Sequence, residues 1–110
     1  MSTQPNTGNL TEITGLRQSN PQDGSSPRIE RLGAQAGVTV VRLSFRAGQT
    51  MEDHQARFPI LVQGQTGSVT FATADRTVTL VAGTAVHVDA GIVHRLEAGE
   101  DSVVTLLVLR

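Results

Sequence analysis

From residue 28 to its end, the chain is cut into short runs of apolar and β-branched residues with a turn former in almost every gap. Gly33, Gly37, Gly48, Gly64, Gly67, Gly83, Gly91 and Gly99 stand between the runs, and Ala74-Asp75 divides two more. The whole chain carries thirteen valines and thirteen threonines, and such β-branched side chains fit a pleated strand better than a helix. Val41, Leu43 and Phe45 alternate with Arg42, Ser44 and Arg46, a period of two with one wet face. Further strands are expected at 28–32, 60–63, 68–73, 76–81, 85–88, 93–97 and 103–109. About eight short strands at this spacing predict an all-β sandwich or barrel. No helical pattern of useful length lies between them, which argues against a parallel βαβ sheet.

Residues 1–27 read differently. Asn, Gln, Ser, Pro and Gly dominate, and Ser19 to Pro27 is a succession of turn formers. Leu10, Ile13 and Leu16 have the spacing of a short helical turn, weakened by Gly15. The expected organisation is a flexible or loosely docked arm over 1–27 and one β-barrel domain over 28–110. The last run, 103–109, is apolar in both of its alternating sets, so it needs cover on both faces. One face can fill a barrel. The other calls for the arm, or for a second copy of the chain, and a homodimer is the favoured expectation.

Composition removes several function classes. The net charge of -1, with nine arginines, no lysine and ten acids, offers no basic footprint for nucleic acid. The absence of cysteine rules out disulfides, thiolate metal sites and a thiol nucleophile. No apolar run approaches the roughly 20 residues that span a bilayer, and Met1 to Gly8 lacks the basic and apolar regions of a secretory signal. A cytoplasmic location is the expectation. Neither a phosphate-binding Gly-x-x-x-x-Gly-Lys nor a Gly-x-Ser-x-Gly elbow occurs.

Two segments carry a family resemblance. In the first, Gly48, His54 and Gly67 match a pattern of Gly, five residues, His-x-His, three or four residues, Glu, six residues, Gly. In the second, Gly83, Gly91 and His94 match Gly, five residues, Pro-x-Gly, two residues, His. In this order, joined by a strand-rich linker, they resemble the two motifs of the cupin superfamily, over roughly residues 38–109. The resemblance implies a double-stranded β-helix, or jelly-roll barrel. It also implies a metal site in which both histidines of the first motif, its Glu and the second-motif His converge inside the barrel.

This chain departs from that pattern at the ligands. Ala56 stands at the second His position, Ile60 at the Glu position and Asp89 at the Pro position. His54 and His94 remain. A structural metal site wants four protein ligands, and a catalytic one three plus water. Glu52, two residues before His54, shares its face on a regular strand, and Glu52, His54 and His94 together would make a two-His-one-carboxylate set. Gln63 is a neutral oxygen donor, placed by alternation on the opposite face from position 60. His87 points outward if Val86 and Val88 fill the barrel, as a structural group or, less simply, a third ligand. Arg57 at the barrel mouth could bind an anion; a solvated loop role is the alternative.

Three functions follow as expectations. The first is a small-molecule binder, with His54, Arg57 and His94 at the ligand and no complete metal site. The second is a metal-dependent enzyme, dioxygenase- or isomerase-like, using His54 and His94 with a single divalent iron, manganese, zinc or nickel. The third is a structural or partner-binding dimer.

Overall fold

A computed structural model describes residues 8–110. Nine strands form: β1 (Arg28–Gln35), β2 (Val38–Phe45), β3 (Thr50–His54), β4 (Ile60–Thr66), β5 (Val69–Ala72), β6 (Thr77–Leu80), β7 (Ala85–Val88), β8 (His94–Ala98) and β9 (Ser102–Leu109). They make a five-stranded sheet in the order β1-β2-β9-β4-β7 and a four-stranded sheet in the order β3-β8-β5-β6. Every pairing is antiparallel. Chain neighbours such as β3 and β4 lie in different sheets, so the chain repeatedly crosses between layers, as a jelly roll does. Among the described residues no helix is long and apolar enough to cross a membrane.

The period of two decides what enters the core. On β2, Leu43 and Phe45 are buried in the interior with Val41 beside them, and they meet Ile60 and Val62 of β4 and Val104 of β9. The four-stranded sheet contributes Val69, Phe71, Leu80, Leu96 and Ala98. Burying side chains of this size stabilises by roughly 1.5–3 kcal/mol each.

β3 is the strand the sequence pattern did not separate. Its exposed Glu52-Asp53 pair is poor strand material, and its pairing with β8 is irregular. Met51 faces Leu96 and His54 faces His94, so three residues on β3 span two on β8. That extra residue is a β-bulge, which breaks the alternation of faces.

At Gly67, φ is +73° and an added Cβ would collide with the Asp101 carbonyl and with Ser102. A residue without Cβ is needed for this crossing to close.

Residues 8–27 lie on the body. Gln49, itself buried, donates from Nε2 to the carbonyls of Gln22 (2.7 Å) and Gly24 (3.0 Å), and accepts from the Arg46 N–H at Oε1 (2.8 Å). The Asn20 N–H donates to Ser44 Oγ, and the Thr50 N–H to the Ser25 carbonyl. Arg42 donates to the Gly15 carbonyl (2.6 Å) and pairs with Glu30 (2.9 Å). These bonds dock this part of the arm more firmly than its composition implies; the rest of 1–27 lies outside the described residues. The helical turn expected around Leu10, Ile13 and Leu16 is instead a turn in which the Gln18 N–H donates to the Gly15 carbonyl, with Leu10 exposed.

The arm therefore supplies part of the second cover that β9 requires. Ser44, which it bonds, sits opposite Val103, and Val103 is fully buried. Farther along the outer face, Leu61, Leu107 and Leu109 remain half-buried.

Candidate functional site

His54 closes β3 and His94 opens β8, so the irregular β3–β8 pairing brings the two rings together at one end of the barrel. Their centroids are 4.3 Å apart with planes at 63°. Each ring is anchored in the same way. His54 Nδ1 lies 2.9 Å from the Glu52 carbonyl, and His94 Nδ1 lies 2.9 Å from the Ile92 carbonyl. A carbonyl can only accept, so Nδ1 carries the proton, and a neutral ring then offers its Nε2 lone pair.

His94 is buried, and among the described residues its Nε2 has no hydrogen-bond partner. Burial pushes its pKa below the usual histidine value, and the nearby His54 adds to this, against the Ile92 hydrogen bond. On its other side, His94 stacks on Phe71 with centroids 5.2 Å apart and planes at 17°.

The rest of the expected ligand sphere is hydrocarbon. Ile60 is buried in the core and Ala56 packs against it. Glu52 does not join the histidines. The bulge in β3 puts Met51, not Glu52, on the interior side with His54, and the exposed Glu52 carboxylate accepts from Thr50 Oγ1 at 2.9 Å. The expectation of a Glu52, His54, His94 set is therefore corrected, because it assumed a regular strand. Gln63 lies on the outer face, next to the inward Val62 in the middle of β4. Among the described residues no three His, Asp or Glu groups converge. The unpartnered Nε2 of His94 is what a metal would take, but the donor set stops at two imidazoles, short of a three-ligand site.

Arg57 is exposed, with its guanidinium 5.9 Å from the Phe58 ring centroid. It borders a shallow depression with Gln55, Ala56, Ala90 and Gly91, where neither His54 nor His94 contributes. His87 points outward, as the Val86 and Val88 alternation predicts, with Nδ1 3.8 Å from Asp89 Oδ1.

A cavity lies elsewhere on the same end of the barrel. β6 is the edge of one sheet and β7 the edge of the other. The seam between these edges opens into a cavity of about 450 Å³. Phe71, Val78, Val86, Val88 and Ile92 make its apolar surface, and Thr73, Arg76, His87 and Asp89 supply its polar groups. Phe71 thus has the cavity on one side and His94 stacked on the other. Sequence reading singled out neither Arg76 nor Thr73. Their only signal was the Ala74-Asp75 turn beside them, which marks a hairpin tip but not what the tip overhangs.

No family of known sequences matches the chain, and no curated protein matches it. Solved structures do resemble it. A cupin superfamily protein from Desulfitobacterium hafniense superposes with a TM-score of 0.73 at 16% identity, covering 90% of this chain and 98% of that one. A conserved protein with a double-stranded β-helix domain from Klebsiella pneumoniae gives 0.77 at 15% identity, over 91% and 90%. KdgF from a Halomonas species gives 0.69 at 20% identity, over 84% and 90%. At such identities the likeness concerns the fold.

Proposed function

We propose that this chain, which has the double-stranded β-helix fold of the cupin superfamily, binds a small molecule in the seam cavity between β6 and β7 without a complete metal site. The observation that carries this reading is the cavity itself. An apolar surface with a few polar groups at its border, in a volume of about 450 Å³, is the usual make-up of a small-molecule pocket, which spans roughly 300–1,000 Å³. The seam is also part of the architecture, since each sheet ends there in a short strand bonded on one side only.

The test is a small-molecule library screened by thermal shift, with hits mapped by NMR on labelled protein. Concentration-dependent stabilisation is expected, with shifts at Val78, Val86 and Val88. Hits that shift none of these residues would remove the seam as the site.

A second reading, a metal-dependent enzyme on His54 and His94, is favoured by the two Nδ1 anchors, since metal-bound histidines commonly donate their other N–H to a carbonyl. It is opposed by the missing third donor. Metal analysis of protein purified without chelator separates the readings. The proposed binder carries no stoichiometric metal, and His54→Ala leaves its metal content unchanged. One equivalent of metal, lost in His54→Ala, would overturn the metal-free reading and leave the enzyme reading to be checked by turnover.

A further inference from the structure

The polar groups of the seam cavity bear on what it takes, an inference that rests on the binding function proposed above. Arg76 lies at the tip of the β5–β6 hairpin. Its backbone carbonyl accepts from the Thr73 N–H (2.8 Å) and from Thr73 Oγ1 (3.4 Å), which pins the root of the side chain at the rim. Among the described residues its guanidinium has no acidic partner within ion-pair distance, although Asp75 precedes it and Asp89 borders the same cavity. Asp89 stays on the β7 side, with His87 at 3.8 Å. The rim of the cavity therefore carries a cation without an acidic partner on one side and, on the other, the Asp89 carboxylate, 85% exposed to solvent, with hydrocarbon between.

We propose that the seam cavity selects small monocarboxylates with an apolar body, and that Arg76 recognises the carboxylate. A guanidinium presents a fork of donors that matches a carboxylate in geometry and charge. Val78, Val86, Val88 and Ile92 accept the hydrocarbon part. A second anionic group at the far end of the ligand comes near the solvent-exposed Asp89, whose like charge disfavours dianions modestly.

The experiment is an NMR titration of the full chain with hexanoate, hexanamide and adipate, repeated on Arg76→Gln. Arg76 is exposed, so this substitution leaves the core untouched. Hexanoate is expected to bind about five- to tenfold more tightly than hexanamide, to shift residues along β6 and β7, and to outcompete adipate. In Arg76→Gln the preference for hexanoate over hexanamide should fall to near one. Equal binding of acid and amide to the wild type, or an unchanged ratio in Arg76→Gln, overturns the selectivity while leaving a binding cavity. So does a library hit that occupies the seam when hexanoate does not. If neither the probes nor any library member shifts the seam residues, the binding function falls with it.

Discussion

His54 and His94 face each other across the β3–β8 pair at 4.3 Å, each held through Nδ1 by the carbonyl two residues before it. Both rings, when neutral, present acceptors, so neither can hydrogen-bond the other through Nε2. The buried His94 is left with an unsatisfied nitrogen, and an unsatisfied buried polar atom costs about 1–3 kcal/mol. Its ring nevertheless fills space beside Phe71.

Replacing His94 should therefore separate packing from polarity. His94→Phe keeps a ring against Phe71, removes the orphaned nitrogen and gives up the bond to the Ile92 carbonyl, and with the two polar effects offsetting is expected to stay within about 1 kcal/mol of the wild type. His94→Ala opens a void and is expected to cost about 2–4 kcal/mol. Urea unfolding of both variants checks the order; an alanine variant as stable as the phenylalanine one would mean the ring packs nothing.

The lowered pKa of His94 sets a direction for stability against pH. Its folded-state value lies below the usual 6.5. As pH falls through 6.5 the unfolded chain takes up the proton first, so its greater proton binding drains stability. The effect is absent above that range and grows until the folded-state value is reached. Glu30, held below its usual 4.5 by the Arg42 hydrogen bond, acts in the same direction at lower pH, because its folded state resists protonation. Urea midpoints measured from about pH 7.5 to about pH 5 should fall more steeply for the wild type than for His94→Phe. Parallel slopes would show that His94 is not held neutral.

Gln49 tests the docking of the arm. All three of its side-chain bonds join the β2–β3 connection to itself or to residues 22–24. Gln49→Ala leaves those backbone groups without their partner and should cost about 2 kcal/mol. Amide exchange should accelerate across residues 20–25 while β2 and β9 stay protected. Unchanged exchange in the arm would show that it is held by other contacts.

Two glycines with similar φ should respond differently. At Gly83 (φ +86°) nothing stands within 4 Å of an added Cβ, whereas at Gly67 (φ +73°) Asp101 and Ser102 block it. Gly83→Ala is expected to cost about 1–2 kcal/mol from backbone conformation alone, and Gly67→Ala clearly more. Equal midpoints for the two variants in thermal unfolding would contradict the close approach at Gly67.

The half-buried Leu61 and Leu107 are cross-strand partners on the outer face, and a homodimer is the proposal for what covers them. Light scattering should return twice the chain mass of 11.7 kDa, and Leu107→Arg should return a single mass by placing a charge in the apolar contact. A wild type that scatters as one chain at every concentration removes the dimer.

Much of this protein was legible in its residues one neighbourhood at a time. Alternation in Val41, Leu43 and Phe45 marks an inward face, Gly67 and Gly83 mark turns, and the spacing of Gly48, His54, Gly83 and His94 carries the likeness to a barrel that closes β3 against β8. These are local properties, because strand period and turn conformation depend on a few consecutive residues. What the fold alone decided depends on pairing between distant segments. The β3 bulge exists only against β8, and it turns Glu52 away from His54 although they stand two positions apart. The seam cavity exists only because β6 and β7 end different sheets, which is how Arg76, silent in the sequence, comes to share a pocket with Asp89. Pairing between distant strands sets which side chains meet, and a bulge in that pairing moves a residue to the other face.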